Sequence, residues 1–306
     1  MAEQTFSART EDSPQPAGFE AVRFSSPVDR QLVHRISLSE VFLTDIRQAG
    51  PSRFLVGAQW PRWHVFYRSP EDGLDSALLA ETLRQAVILL AHDRGVPLAH
   101  KFLLPSMSLT LDHPSLDPSR PSEVVLDLTV DRFAMRGGSL STLDVEARFI
   151  LDGRLLGTGA ATARIVDPLS YRRYRRPALG HQSISRFPHR LDPARLGHRD
   201  ARNVLLGASS VPGSWPLVVD TSHPIFFDHP LDHVPGMLLL EAIRQAARCH
   251  SGNPTLDFAH FTAEFLHVVE LWHETEVTLT RFQGKALHAS IHHCGEVLVR
   301  LEALCL

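Results

Sequence analysis

Glu81-Thr-Leu-Arg84-Gln85-Ala86 returns 160 residues later as Glu241-Ala-Ile-Arg244-Gln245-Ala246. The agreement extends outward at the same offset: Phe66-Tyr67 falls on Phe226-Phe227, and Leu78-Leu79 on Leu238-Leu239. Downstream, Phe102–Leu111 matches Phe261–Glu270 only in its apolar pattern. Self-similarity at one fixed spacing is the signature of a duplicated unit.

Each copy of the motif lies in a helical pattern, over 76–92 and 236–249, that is apolar on almost every face. Asp75-Ser76 offers caps to the first helix and Pro235-Gly236 marks the start of the second. Helices apolar all round are wrapped by other structure and not laid on a surface. Behind them come β-patterned runs at 123–133, 140–151 and 154–166, then at 273–282, 285–293 and 296–305. Turns at Gly137-Gly138, Asp152-Gly153, Gln283-Gly284 and Cys294-Gly295 link them as hairpins, so the sheets are expected to be antiparallel. The fold class is α+β. A long helix wrapped by an antiparallel sheet is the hot-dog arrangement, and two in tandem would pair as a pseudo-dimer.

The punctuation of the chain divides it into four. Residues 1–30 are Ser-, Thr- and Pro-rich without apolar periodicity and read as a flexible N-terminal segment. Residues 31–168 form the first hot-dog unit. Residues 169–203 hold an Arg/Tyr cluster followed by Pro177, Gly180, Pro188, Pro193 and Gly197, and read as a linker. Residues 204–306 form the second unit.

The 306 residues are 43% hydrophobic, enough for a large core. With 31 basic and 34 acidic residues the net charge is -3. No overall field therefore favours nucleic acid or an anionic membrane. Three cysteines, Cys249, Cys294 and Cys305, fit neither a disulfide framework nor a zinc site and point to a reducing cytoplasm. The sequence shows no signal-peptide core and no run of about 18 apolar residues that could span a membrane.

The densest chemistry lies in His223-Pro-Ile-Phe-Phe-Asp228-His229-Pro-Leu-Asp232-His233-Val-Pro235-Gly236, which leads into Glu241. This segment is similar to the signature of hot-dog hydroxyacyl-carrier-protein dehydratases, where a loop His, a Pro-Gly helix start and an acid five residues after that Gly form the site. Glu241 stands at the acid position. Phe227, however, occupies the catalytic His position, which argues against dehydration.

A closer resemblance runs from about Val33 to Leu306. It is carried by Val33-His-Arg-Ile-Ser-Leu-Ser-Glu-Val-Phe-Leu-Thr-Asp45, by the Glu81–Gln85 motif, and by Phe226–Gly236 with Glu241–Gln245. On these segments the chain resembles the A-factor biosynthesis family, the synthases of γ-butyrolactone autoregulator precursors. The resemblance implies transfer of a β-ketoacyl group from acyl-carrier protein to the hydroxyl of glycerone phosphate, with no metal and no other cofactor. A monomeric pseudo-dimer or a homodimer would fit it.

The residues themselves are compatible with such chemistry. A carboxylate inside an apolar helix is costly to ionise, so Glu81 or Glu241 is expected to have a raised pKa suited to a general base. The helix start at Gly236 leaves backbone N–H groups free for a developing oxyanion. Arg84 and Arg244 could bind phosphate bidentately, beside Gln85 and Gln245. His229, His233, Phe227 and Tyr67 complete the expected substrate contacts, and Trp60, Trp63 and Phe66 the acyl-chain walls. Two unequal sites are conceivable, one joining Glu241 to the His64–Tyr67 loop and one joining Glu81 to the Phe227–His233 loop.

Blander readings stand beside these. Glu and Arg at i,i+3 also form structural ion pairs, and loop histidines cap helices or meet solvent. The cations of Arg172–Arg176 suit either a solvated linker or the acidic face of a carrier protein. A thioesterase or dehydratase, or a non-catalytic acyl-binding module, are the competing functions.

Overall fold

The computed structural model describes residues 22–67, 73–112, 116–136, 139–176 and 188–306. It places eleven strands in one sheet: β1 (Leu43–Gln48), β2 (Arg53–Trp60), β3 (Lys101–Leu111), β4 (Ser122–Arg136), β5 (Ser139–Leu151), β6 (Arg154–Val166), β7 (Ser214–Pro216), β8 (Phe258–Phe265), β9 (Thr275–Gln283), β10 (Ala286–His293) and β11 (Glu296–Cys305). Three α-helices accompany them: α1 (Ser76–Asp93), α2 (Pro168–Arg175) and α3 (Gly236–Ser251).

The strand order is β1-β2-β4-β5-β6-β3-β8-β11-β10-β9-β7, and neighbouring strands run antiparallel. The two halves thus build inward from opposite edges in corresponding order and meet where β3 pairs with β8. There Met107 lies opposite Ala263 and Leu109 opposite Phe261. A single apolar core, with Leu83, Leu89, Leu238 and Ile243 among its members, spans both halves.

The central helices are wrapped as their composition requires. From Ser76 to His92 every residue of α1 except Arg84 is buried. In α3 burial is continuous from Met237 to Arg248. Asp75 caps α1 by accepting a hydrogen bond from the Ala77 N–H at 2.8 Å. Gly252 ends α3 at φ 66°, a left-handed position where a Cβ would be strained. In β3, Pro105 cannot donate to the ladder, and the β3–β6 register slips between Leu103 and Ser106.

Two expected irregular stretches are more structured than their composition suggests. Val22 packs with Leu55 and Val125, so residues 22–30 are not merely a lead-in. The expected linker 169–203 opens inside α2, which Asp167 caps by accepting from the Leu169 and Ser170 N–H groups. This helix buries Tyr171 and Arg175 and leaves Arg172, Arg173 and Arg176 exposed. Arg175 is clamped by Glu270 and Asp232. The expected turn at Gly137-Gly138 lies outside the described residues. Among the described residues no helix is long and apolar enough to cross a membrane.

Candidate functional site

The duplicated motif folds into two similar polar networks. In the first, Glu81 is wholly buried and accepts hydrogen bonds from Arg35 at 2.6 Å, Arg84 at 2.7 and 2.8 Å, and Gln85 at 2.7 Å. Gln85 also donates to the Glu40 carbonyl and accepts from the Phe42 N–H, tying α1 to the chain entering β1. In the second network Glu241 accepts from Arg244 at 2.7 Å and Gln245 at 3.0 Å, and contacts His198 at 3.0 Å. Gln245 reproduces the brace, donating to the Asn203 carbonyl and accepting from the Leu205 N–H. The glutamates differ in one partner, His198 on Glu241 against Arg35 on Glu81.

Neither glutamate has the raised pKa expected from burial. Desolvation pushes the Glu81 carboxyl up, but Arg35 and Arg84 outweigh it and hold the group down at about 2. Desolvation likewise opposes ionisation of Glu241, and Arg244 with His198 overcomes it. Both acids are therefore ionised at neutral pH and poorly suited to take a proton from an alcohol.

The networks part company over access to space. A cavity of about 820 Å³ is lined by Glu81, Arg84 and Arg35 of the first unit and by His229, His233 and Gly236 of the second. Glu81 of the first unit is thus joined to the loop and helix start of the second. Glu241 is not among the residues lining that cavity and borders a crevice of about 10 Å³. Arg244 is 2% exposed and spent on Glu241, Asp75 and Asp257. It cannot reach a substrate phosphate without breaking that lock.

The remaining expected residues divide similarly. Gly236 opens α3 at the cavity, and a Cβ there would crowd the Phe265 ring at 3.2 Å. Gln85 and Gln245 are buried braces. Tyr67 packs against Phe42, His64 and Phe66 and does not line the cavity, nor does Phe227, whose neighbour Phe226 does. Trp60, Trp63 and Phe66 are not its walls either: Trp60 is buried and donates to the Thr82 hydroxyl. The apolar wall comes instead from Val87, Ile88, Phe102, Leu104, Leu231 and Phe265.

Several residues of the site escaped notice in the sequence. Arg35 supplies the second cation on Glu81. Its neighbour His34 lines the cavity with a left-handed φ of 53°. Asp228 accepts from the Ile36 and Ser37 N–H groups and so pins that segment to the second unit's loop. Lys101 adds a cation. Burial first, then nearby positive charge, lowers the imidazoles of His34, to about 3, and of His229. Asp232 binds His233 at 2.7 Å and the Tyr171 hydroxyl at 2.9 Å, so α2 steadies the loop. Among the described residues no group of three or more His, Cys, Asp or Glu side chains is arranged to hold a metal ion.

Solved structures with this architecture include an acyl-ACP thioesterase from Bacteroides thetaiotaomicron, with a TM-score of 0.53, 15% identity and coverage of 82% of this chain and 98% of that one. A 12:0-ACP thioesterase from Umbellularia californica gives a TM-score of 0.51, 8% identity and coverage of 82% and 97%. At such identities the likeness establishes the hot-dog fold alone. Sequence relatives are nearer. The 2-oxo-3-(phosphooxy)propyl 3-oxoalkanoate synthase of Streptomyces virginiae is 35% identical over 256 residues, covering 81% of this chain and 85% of its own. The protein of the same name from Streptomyces coelicolor is 39% identical over 229 residues, covering 72% and 71%. The A-factor biosynthesis hotdog domain matches residues 20–167 and 180–286, and the chain belongs to that family.

Proposed function

We propose that this chain is an acyltransferase that moves a β-ketoacyl group from an acyl-carrier-protein thioester to the hydroxyl of glycerone phosphate. The product is a phosphorylated β-keto ester, the precursor of a γ-butyrolactone-type signal. The observation that carries this reading is the cavity itself: it sets Arg84 and Lys101 beside an apolar wall and the start of α3. It has a place for an anion, one for an acyl chain and one for an oxyanion.

Two nitrogens of Arg84 are held by Glu81, and its Nη1 has no partner among the described residues. The fork is thereby fixed in orientation with a donor left for phosphate. The Gly236 and Met237 N–H groups have no backbone acceptor among the described residues, and they lie at the positive end of the α3 dipole. A thioester oxygen seated there would be stabilised as negative charge develops in the tetrahedral intermediate. The acceptor oxygen bonds to the carbonyl carbon, the C–S bond breaks, and the hydroxyl proton passes through a base to the leaving thiolate.

The carrier protein would dock along α2, whose exposed Arg172, Arg173 and Arg176 lie beside the cavity-lining Tyr171 and Tyr174. Acidic carrier surfaces are complementary to such a row. One protomer, with its two halves acting as a pseudo-dimer, holds every element of this site. Incubation with β-ketoacyl carrier protein and glycerone phosphate is expected to yield the phosphorylated ester by mass spectrometry. Thiol release without ester, independent of glycerone phosphate, would make the protein a thioesterase and overturn the reading.

A further inference from the structure

With Glu81 committed to Arg35 and Arg84, the site still needs a group to take the acceptor's proton. Four histidines line the cavity: His34, His229, His233 and His267, the last of them largely exposed and 3.4 Å from the Glu296 carboxylate. The hydrogen bonds around His34 define its tautomer. The Nδ1 of His92 lies 2.7 Å from the Val96 carbonyl oxygen, which can only accept, so His92 carries its proton on Nδ1. Neutral His92 then presents a lone pair on Nε2, and the Nε2 of His34 lies 3.0 Å away. His34 must donate that bond. Its own proton is therefore on Nε2, and its Nδ1 carries an open lone pair with no partner among the described residues.

We propose that His34 is the general base of the acyl transfer and that His92 is a positioning residue holding it in the tautomer with Nδ1 free. This rests on the acyltransferase reading above. The acceptor O–H bond breaks as its oxygen bonds to the thioester carbon, and the proton goes to Nδ1. The imidazolium then returns it to the thiolate as the C–S bond breaks, which leaves the enzyme unchanged.

The surroundings make this base dependent on the acceptor. His34 faces His92 and Arg84 from α1, Lys101 and the edge of the Phe102 ring from β3, and His229 from the second unit's loop. Burial first, and then the charges of these neighbours, oppose protonation of His34 while the site is empty. A phosphate bound to Arg84 and Lys101 offsets their share, so imidazolium forms more readily when glycerone phosphate is present. Without it, water is not efficiently activated and the thioester is spared hydrolysis. The left-handed backbone at His34 caps the C-terminus of the 3-10 turn Arg30–Val33, whose carbonyls accept from its N–H, and this cap fixes where the imidazole leaves the chain.

The test is kinetic and spectroscopic, on the full chain. Asn tolerates a left-handed backbone and supplies no base, so His34→Asn is expected to keep the wild-type melting temperature and glycerone phosphate KM while kcat falls about 100-fold. In ¹⁵N-histidine spectra of the wild type, Nδ1 of His34 is expected to be the unprotonated nitrogen. His92→Phe is expected to mix the tautomers and lower kcat with a changed pH profile. Adding inorganic phosphate is expected to raise the pH at which His34 titrates. A kcat within threefold of wild type in His34→Asn, or a protonated Nδ1 in the spectra, would overturn the assignment. If the variant does not fold, the wild-type spectra decide. A wild type that makes no ester rejects the acyltransferase reading itself, whereas an active wild type with an equally active His34→Asn rejects only the role of His34.

Discussion

At the scale of single residues, the two Glu-x-x-Arg pairs are chemically alike and functionally unequal. Arg84 is partly open to the cavity, and Arg244 is sealed. Arg84→Ala is expected to raise the KM for glycerone phosphate about 10- to 100-fold, the loss of one or two charge-assisted hydrogen bonds, with a smaller change in kcat. Arg84→Lys is expected to recover little, since an ammonium cannot hold both Glu81 oxygens as a fork. Steady-state kinetics with the acceptor varied check both. Glu241→Ala, by contrast, removes one of the three carboxylates around buried Arg244 and the shared partner of His198 and Gln245, and is expected to lower the urea midpoint without changing the KM for glycerone phosphate.

The same groups set the acid sensitivity. Glu81 has a folded pKa of about 2 against an ordinary 4.5, so its ionisation stabilises the native state above 4.5 and that contribution is lost as pH falls toward 2. The depressed histidines His34, His92, His223 and His229 act in the same direction at higher pH: the unfolded chain binds their protons first, and stability drops as pH falls below 6.5. Urea midpoints measured from pH 7 to 3 are expected to decline in two phases. Glu81→Gln should flatten the lower one, which is worth on the order of 3 kcal/mol.

At the scale of elements, α3 matters to the site through its first turn and α1 through its middle. Gly236→Ala would bring a methyl group within 3.2 Å of the Phe265 ring, which must give by a few tenths of an ångström, and would crowd the helix start. It is expected to lower kcat about tenfold with little change in the glycerone phosphate KM, because the oxyanion contacts form in the transition state and the phosphate contacts do not involve α3. Replacing Arg172, Arg173 and Arg176 together by Ser is expected to raise the KM for carrier-bound substrate and leave that for a small N-acetylcysteamine thioester unchanged. A reversed pattern in the same assay would remove α2 from the docking surface.

At the scale of the molecule, β3 and β8 fuse the halves into one sheet, and the cavity is built from both. A chain truncated after residue 176 would expose the whole β3 edge and lose His229, His233 and Gly236. It is expected to be inactive and to dimerise or aggregate, as light scattering would report. The intact protein is expected to unfold in one cooperative transition, since the core is continuous.

The sequence by itself determined the duplication, the two wrapped helices and the hairpin-linked strands behind them, because each follows from short-range periodicity and turn chemistry. It also carried the family, through contiguous segments such as Asp228–Gly236. Which copy faces open space lay beyond it: Arg84 and Arg244 occupy identical motifs, and only packing decides that Asp75 and Asp257 enclose one while the other borders a cavity. The charge state of the glutamates lay beyond it too. Burial in the helix was legible, but the opposing cation on Glu81 is Arg35, brought from 46 positions away by the chain entering β1. Long-range electrostatics and cavity shape belong to tertiary structure, and they moved the chemistry from the repeated acid to the space beside one of its two copies.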